Sequence, residues 1–313
     1  GTIQELILSG LRGRGGGGFP TGRKWMSVRD TGTNGSEGPV YVVANGAEGE
    51  PATFKDRAIM RANPYAVVEG VAIAAFAVGA EQAFIAVKES FELEVRRLAQ
   101  AVDELREMGV LDAVDVQVVL GPDHYLYGEE TAMLQVIEGQ PPLPRNIPPY
   151  LYGLFASVPA VGWTANAGVS TQFAASNSTL VNNVETLATV PGVLVRGPEW
   201  YRGMGTDRSP GTVVATVVGD VARPGVGEIE LGTPLRDVIE QVGGGVRPGR
   251  SVKAVISGVA NAVLAADELD TPCSYEGMQA VGSGLGAAGF MVFDDTTSML
   301  EVAEMVSWFL YVE

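Results

Sequence analysis

The sequence contains one cysteine, Cys273, and one histidine, His124. A single cysteine excludes an internal disulfide, and it also excludes a thiolate-ligated cluster or structural zinc site built from this chain alone. A single histidine excludes the usual His-based metal centres and Ser-His-Asp hydrolysis. We therefore expect no metal site within the chain, and the cysteine usage is typical of the reducing cytoplasm.

Positive charge and long apolar runs are also scarce. The chain carries 21 Lys+Arg against 37 Asp+Glu, a net charge of −16, so it offers no basic surface for nucleic acid. Its most apolar stretch, residues 66–80, is interrupted by Glu69 and is too short to cross a bilayer. We expect no targeting leader, since residues 1–3 are not followed by a basic n-region and an apolar h-region. We expect a cytoplasmic protein without a transmembrane segment, either free or peripheral to a membrane complex.

Glycine, by contrast, is abundant: 41 of 313 residues, with six of them between positions 13 and 22. A helical pattern precedes these glycines instead of the strand that a dinucleotide fingerprint requires, and no Ser or Thr follows Lys24 as a P-loop would need. Backbone without Cβ atoms can approach an anion or a flat ring, and Arg14, Arg23 and Lys24 supply charge. The alternative interpretation of this segment is a flexible surface loop.

Strands and helices alternate in the first half of the chain. Apolar runs predict strands at residues 40–44, 83–88 and 114–120, and helical patterns cover residues 56–80 and 93–108. This alternation predicts an α/β fold, with a parallel sheet covered by helices. Such sheets bind ligands beyond the carboxyl ends of their strands.

The pattern changes near residue 205. A β-rich run at 212–218 leads into a turn, and a helical pattern at 235–242 precedes a strand at 253–256. A last helical pattern at 298–311 runs to the end of the sequence without a capping glycine or proline. We expect a domain boundary near 205.

Three further segments carry polar side chains at predicted element ends. The first holds Glu48 and Glu50, the second Glu129 and Glu130, and the third Asn182 and Asn183. Each has an ordinary structural explanation when taken alone. Glu48 and Glu50, like Glu129 and Glu130, suit the first turn of a helix. Adjacent asparagines, as in the third segment, suit helix caps.

Taken together, four segments resemble the FMN-carrying, NADH-binding subunit of respiratory complex I, known as the 51-kDa or F-type subunit. Related subunits occur in NAD-linked formate dehydrogenases and bidirectional hydrogenases. The resemblance covers essentially the whole chain, and the segments that carry it are GLRGRGGGGFPTGRKW, NGAEGEPATFKDR, YGEETAMLQVIEG and VNNVETLA. Residues 212–244 resemble the ubiquitin-like SLBB domain of that family, and residues 284–297 resemble its next signature.

The resemblance implies a Rossmann-like FMN/NADH domain at residues 1–205 and a β-grasp SLBB domain at 206–280. Residues 281–313 would then be a connector and the first helix of a truncated or absent iron–sulfur helical domain. It also implies FMN and NADH or NADPH as cofactor and substrate, with hydride transfer between them in either direction. Reduced FMN would pass electrons singly to an iron–sulfur subunit or a ferredoxin-like partner.

The resemblance also implies roles for individual residues. The FMN cradle would comprise Gly13, Arg14, Gly15, Lys24, Asn45, Gly128, Glu129, Asn182 and Asn183, and Gly16 and Glu48 would also be cofactor-binding residues. The dinucleotide would stack on Phe19, with Glu50, Tyr125 and Glu130 nearby. Glu130 is the expected tuning residue, because a carboxylate beside the flavin disfavours negative charge on the ring.

The sequence departs from the family pattern at several positions. Ala47 replaces a usual acidic residue, Ile147 a usual lysine and Ser27 a usual aromatic, whereas Tyr150 keeps a second aromatic position. The four cysteines that bind a 4Fe–4S cluster in the family are absent. Either a tail beyond Glu313 carries them, or the protein naturally lacks this electron exit and any such cluster would belong to a partner.

These departures keep two other functions open. The chain could be a non-catalytic or NADH-independent scaffold subunit that retains the fold and FMN. It could also be a ligand-binding module that uses the SLBB-like domain for a soluble metabolite.

Overall fold

A four-stranded parallel sheet forms the centre of the first domain in the computed structural model, which describes residues 1–34, 38–157 and 175–313. The strands run in the order β3-β2-β1-β4, and every neighbouring pair is parallel. Their bounds are β1 (Tyr41–Gly46), β2 (Gln82–Lys88), β3 (Asp115–Gly121) and β4 (Thr179–Asn183). The predicted parallel α/β sheet is confirmed, and its order is the central part of the Rossmann arrangement.

Helices surround this sheet. They are α1 (Thr2–Ser9), α2 (Thr21–Asn34), α3 (Lys55–Ala62), α4 (Pro64–Val78), α5 (Glu92–Glu107), α6 (Glu130–Ile137), α7 (Val184–Arg196) and α8 (Pro198–Arg202). The main core lies between helices and sheet, where Leu6, Trp25, Ile85 and Leu98 are fully buried. Burial of such side chains contributes roughly 1.5–3 kcal/mol each.

The single long helix expected over residues 56–80 is two helices. The chain breaks at Asn63, since Pro64 lacks a backbone N–H and restricts the residue before it to extended conformations. Pro64 then occupies the first turn of α4, where that N–H is not needed. The Asn63 side chain accepts a hydrogen bond from the backbone N–H of Ala66 and caps the new helix.

A five-stranded mixed sheet forms the second domain, in the order β6-β5-β9-β7-β8. Its elements are β5 (Thr212–Gly219), β6 (Gly225–Glu230), α9 (Leu235–Gly243), β7 (Val252–Ser257), β8 (Leu264–Ala265), α10 (Tyr275–Ala280) and β9 (Gly289–Asp294). The final helix, α11 (Met299–Val312), follows. Val217, Leu235, Met278 and Phe290 belong to a separate core beneath this sheet.

Strand β9 lies in the middle of this second sheet, parallel to β5 and antiparallel to β7. The sheet therefore extends to Asp294, beyond the boundary at residue 280 expected from the sequence. The boundary near residue 205 stays a prediction. Within the described part of the chain, no helix has the combination of length and hydropathy needed to cross a membrane.

Candidate functional site

The candidate site lies at the carboxyl ends of β1 and β4, the two neighbouring strands between which the strand order of the first sheet reverses. From β1 the chain continues outward to β2 and β3, and later returns to place β4 on the other side of β1. Parallel sheets bind ligands in the crevice at such a switch point, outside the carboxyl ends of the strands. The register pairs Asn45 at the end of β1 with Asn183 at the end of β4. Two amide side chains thus meet at this edge.

Residues 13–19, which we call the glycine loop, cover the crevice. The loop is closed at its base by a bridge between Arg12 and Pro20 and by a hydrogen bond of 2.9 Å from the Gly13 N–H to the Phe19 carbonyl. Gly18 has a φ of +59°, a conformation that residues with a Cβ rarely adopt. Phe19 remains 58% exposed. The segment is thus a loop closed by backbone contacts at its base.

Two adjoining cavities fill the crevice, with volumes of about 540 and 300 Å³. Both fall within the size range of small-molecule sites. The larger is lined by Gly13, Gly15, Gly17, Gly18, Phe19, Lys24, Asn45, Gly128, Glu129, Glu130, Val181, Asn182 and Asn183. The smaller shares five of these residues and adds Arg14, Ala47, Glu48, Gly49, Glu50, Thr53, Lys55, Asp56, Tyr125, Leu126 and Ala287. Most of the residues expected at the site are brought together here.

Helix α2 supplies two functional side chains in succession. Lys24 turns to the cavity, where its Nζ lies 2.6 Å from a carboxylate oxygen of Glu130. Trp25 turns into the core, and its Nε1–H donates to the Oδ1 of Asn182 over 2.7 Å. Because Trp25 is fully buried, it holds the Asn182 amide in a fixed orientation at the floor of the cavity.

The strand-end loops are fixed to one another by an amide. The Nδ2 of Asn45 donates to the Gly128 carbonyl over 2.7 Å, and its Oδ1 accepts from the Ala47 N–H. Glu129 caps α6 by accepting from the backbone N–H groups of Thr131 and Ala132. Glu129 is thus the N-cap of α6, and Glu130 alone lies in the first turn, where its carboxylate faces Lys24.

A buried network of charges lies beneath the crevice. The Nζ of Lys55 contacts a carboxylate oxygen of Asp56 at 2.7 Å and one of Glu185 at 2.8 Å, and it donates to the Asn183 Oδ1 at 3.1 Å. Burial opposes the charge on Lys55, but the two carboxylates outweigh it and raise the pKa of the ammonium group. Asn183 also caps α7 by accepting from the Glu185 N–H. This network fixes the end of β4 to the start of α3.

Glu48 is a third buried carboxylate of this region, beside Asp56 and Glu185. It accepts hydrogen bonds from the backbone N–H groups of Asp56 and Arg57 and from the Arg57 guanidinium. Burial and the neighbouring charge of Asp56 raise the pKa of Glu48 to about 7. Glu48 thus orders the start of α3 and can change its protonation state near neutral pH.

Glu50 and Tyr125 form the outer wall of the smaller cavity. The Tyr125 hydroxyl donates to Glu50 over 2.7 Å, and the other Glu50 oxygen accepts from the Val259 N–H of the second domain over 2.7 Å. The Tyr125 ring packs edge-on against Phe309 of α11, with 5.2 Å between ring centroids. Burial and the contact with Glu50 raise the pKa of Tyr125. Both predicted residues lie at the site and also tie it to the second domain.

Two of the expected cofactor-binding residues, Arg14 and Gly16, lie against the second domain. The guanidinium of Arg14 donates to the Tyr201 hydroxyl and to the Thr212 carbonyl, both at 2.8 Å, so its charge is directed to the domain interface. Gly16 has a φ of +105° and approaches Gly286 of the second domain, and it lines neither cavity.

The structure also places the positions that depart from the family pattern. Ala47 is 1% exposed and packs in a small core with Tyr127 and Met133 beside the cavity. Ser27 is exposed on α2, and Ile147 is half-buried. Of these three residues, Ala47 lines the smaller cavity, whereas Ser27 and Ile147 line neither cavity. Ala47 is therefore the departure with the most direct bearing on a ligand.

The cavity fits a flat, phosphorylated cofactor of the FMN type. A Cβ placed on Gly17 would meet no atom within 4 Å, so at this residue the loop presents bare backbone to open space. Gly15 borders both cavities, and a Cβ there would touch the Cβ of Asn183 at 3.4 Å. Bare backbone on one side, ordered amides on the other and a cation at Lys24 are the features that such a cofactor requires.

Three residues have roles at the site that the sequence does not indicate. Lys55 and Glu185 stand within recognised segments, but nothing in the sequence shows that they bond to each other beneath the crevice. Tyr275 donates its hydroxyl proton to the Gly13 carbonyl over 2.8 Å. These two residues lie 262 positions apart, and no local pattern reports such a contact.

Comparisons with known proteins agree with this geometry. The family model of the Nuo51 FMN-binding domain matches residues 7–192, and that of the SLBB domain matches residues 214–257. The F 2 subunit of the NADH-quinone oxidoreductase of Rhizobium meliloti (strain 1021) is 40% identical over 99% of this chain and 71% of its own length. The corresponding F-type subunit of Mycobacterium tuberculosis (strain ATCC 25618 / H37Rv) is 39% identical over 93% of this chain and 63% of its own.

Two hydrogenase proteins are also similar. The NADP-reducing hydrogenase subunit HndC of Solidesulfovibrio fructosivorans is 35% identical over 96% of this chain and 59% of its own length. A chain in the crystal structure of air-oxidized NAD+-reducing NiFe-hydrogenase superposes with a TM-score of 0.77 and 32% identity over 95% of this chain and 47% of that one. The chain thus spans between about half and 71% of these relatives. It belongs to the family of Nuo51 FMN-binding domain proteins, and in this chain an SLBB domain follows the FMN-binding domain.

Proposed function

We propose that the chain is the FMN-binding, NAD(H)-reactive module of a larger oxidoreductase. The observation that carries the proposal is the crevice at the β1–β4 switch point. There the glycine loop, the two strand-end loops and the Asn182–Asn183 pair surround one space. The family match over residues 7–192 supports the proposal.

The cofactor would be held by groups that are already ordered. Gly13, Gly15 and Gly128 would offer backbone, and Asn182 and Asn183 would offer amides fixed by Trp25 and by the Lys55 network. When bound, FMN supplies the chemistry of accepting a hydride from NAD(P)H, or of donating one to NAD(P)+, and of releasing electrons singly. The protein's part is to position the reactants and set the local charge.

The nicotinamide substrate would enter over Phe19. Phe19 is 58% exposed at the cavity mouth. An exposed aromatic face offers a stacking surface for another flat ring. Glu50 and Tyr125 would border the same entrance. Ordered side chains at an entrance exclude water and hold a reactant at the reacting atoms, which is the usual source of rate in a hydride transfer.

Glu130 would tune the charge beside the flavin. Its carboxylate is neutralised in part by Lys24 at 2.6 Å, so the pair presents a dipole and not two free charges. A carboxylate alone disfavours added negative charge on a nearby ring, and a paired lysine offsets that effect. Lys24 would also attract an anionic cofactor to a chain whose net charge is −16.

The relatives named above are subunits of NADH-quinone oxidoreductases and hydrogenases. We infer that this chain likewise works within an assembly and passes electrons to an iron–sulfur subunit or a ferredoxin-like protein, since an isolated flavin has no route to a distant acceptor. The free, buried Cys273 is consistent with the reducing cytoplasm as its compartment.

Cofactor uptake tests the proposal. Apo-protein is titrated with FMN and with riboflavin, and binding is followed by quenching of flavin fluorescence. We expect stoichiometric FMN uptake and clearly weaker riboflavin binding, since the phosphate adds a charged contact. Absence of FMN uptake would refute the proposal. FMN uptake without reduction by NADH or NADPH would instead favour the scaffold function, for which Ala47 in the cavity wall is the specific structural reason.

A further inference from the structure

A tyrosine of the second domain holds the glycine loop. Tyr275 begins α10, and its hydroxyl donates to the Gly13 carbonyl over 2.8 Å. Its ring lies against the other end of the loop, where a Cβ on Gly18 would come within 2.4 Å of the ring. One side chain therefore contacts both ends of the glycine loop.

Arg12 completes this arrangement. Its guanidinium carbon lies 4.0 Å from the centroid of the Tyr275 ring, and its Nε–H donates to the Gly18 carbonyl over 2.7 Å. A guanidinium over an aromatic face is attracted by the ring's π electrons. Tyr275 and Arg12 thus hold each other as well as the loop, and the carbonyls of Gly13 and Gly18 are both engaged in fixed hydrogen bonds.

The loop needs such support because its glycines have no side chains to pack. Glycine has the largest conformational freedom of any residue in the unordered state. If the loop were unordered before cofactor binding, ordering it would subtract from the binding free energy. A loop already held by Tyr275 avoids that cost.

We propose that Tyr275 is a positioning residue for cofactor binding, through which the second domain sets how tightly the glycine loop retains FMN. This inference rests on the proposed function. Tyr275 does not line either cavity, so it would act on the cofactor through the residues it contacts. These are Gly13 and Gly18 of the loop and Arg14, whose guanidinium donates to the Tyr275 hydroxyl over 3.4 Å.

The test compares FMN dissociation constants of four proteins. Tyr275→Phe removes the hydroxyl and keeps the ring, and Tyr275→Ala removes both. Tyr65→Phe is the matched control, since the Tyr65 hydroxyl donates to Glu104 over 2.6 Å on the first domain, away from the loop. Loss of one hydrogen bond corresponds to about a five-fold change in an equilibrium constant. Tyr275→Phe loses the hydrogen bond to Gly13 and also the longer one from Arg14, so we expect it to weaken FMN binding by at least about that factor. Tyr275→Ala should weaken binding further, and Tyr65→Phe should bind as wild type does.

Hydrogen exchange of the loop amides in the apo-protein gives a second measurement. Faster exchange at residues 13–19 is expected in both Tyr275 variants, and saturation with FMN should restore wild-type protection. If Tyr275→Phe lowers thermal stability as Tyr65→Phe does but leaves FMN affinity unchanged, Tyr275 only joins the domains and the inference is overturned. Failure of the wild type itself to bind FMN would instead overturn the proposed function, and this inference with it.

Discussion

Lys24 is the one cation among the described residues that line the larger cavity. Its side chain is 26% exposed and paired with Glu130. The sequence predicted Lys24 as a cofactor residue from its segment alone. The sequence could not predict the pairing, because Glu130 lies 106 residues away and reaches Lys24 only through the closure of the sheet.

Reversal of this charge should remove the cofactor. Lys24→Glu would face Glu130 with a second carboxylate and repel an anionic ligand, so we expect FMN affinity to fall by roughly 100-fold. The measurement is flavin content after gel filtration. Arg23→Glu is the matched control, since Arg23 is exposed on the same helix and lines neither cavity. Wild-type flavin content in Lys24→Glu would show that the site is elsewhere.

Glu48 should make stability depend on pH. Its pKa in the folded protein, about 7, lies above the ordinary value of 4.5, so between these values the folded state holds a proton that the unfolded chain has released. Stability contributed by this group is complete below pH 4.5 and is lost as pH rises through 7. We expect Glu48→Gln to reduce the fall in unfolding free energy across this window by about 1–3 kcal/mol.

Urea unfolding of the apo-protein at several pH values measures this effect. Glu304→Gln, at an exposed position on α11, serves as the control and should leave the pH dependence unchanged. An identical pH profile for wild type and Glu48→Gln would show that Glu48 does not titrate in this range.

At the scale of elements, local patterns predicted the regular strands and helices well. The strands predicted at 83–88 and 114–120 lie at Gln82–Lys88 and Asp115–Gly121, because continuous apolar runs bounded by turns have few other solutions. Strand β4 was missed. Its five residues, TLVNN, are too few for a periodic signal, and its polar end resembles a helix cap, which Asn183 also is.

Asn183 caps α7 and also lines both cavities, so its replacement should affect both stability and FMN binding. Asn183→Ala removes a helix cap together with contacts to Lys55 and Asp56, so we expect the unfolding free energy to fall by about 1–3 kcal/mol. FMN binding should weaken as well. Asn63→Ala, which removes the cap of α4 far from the cavity, should cost about 1 kcal/mol and leave FMN binding unchanged.

Thermal or urea unfolding measures the first effect and flavin titration the second. Equal FMN affinity in the two variants would mean that Asn183 contributes to the fold but not to the site.

At the scale of the whole molecule, the crevice is assembled from both domains. Thr212, Val214 and Val259 of the second domain bond to Arg14, Glu185 and Glu50 of the first. The sequence indicated two domains and a resemblance that spans them, but it contained no information on these contacts. Buried polar side chains such as Arg14 and Glu185 look like surface charges in a sequence, since burial depends on the tertiary fold.

The buried lysine beneath the crevice should be essential to this assembly. Lys55→Met leaves the carboxylates of Asp56 and Glu185 without their cation, and the loss of one partner from a buried ionic group costs about 3–5 kcal/mol. Glu185 also accepts from the Val214 N–H over 2.8 Å, so the contact between domains should loosen too.

The free energy of unfolding in urea measures the loss. Lys253→Met, at an exposed lysine of the second domain, is the control and should change stability by less than about 0.5 kcal/mol. A similarly small change in Lys55→Met would contradict the importance of the buried network.

The most direct test of the account is an anaerobic titration of the FMN-loaded protein with NADH, followed by the visible absorbance of the flavin. Free FMN at the same concentration is the control, and NADPH is titrated in parallel. We expect stoichiometric bleaching of the flavin by one or both nucleotides, much faster than for free FMN. Bound FMN that remains oxidised with both nucleotides would contradict it, and the chain would then be a flavin-binding scaffold without the nicotinamide reaction.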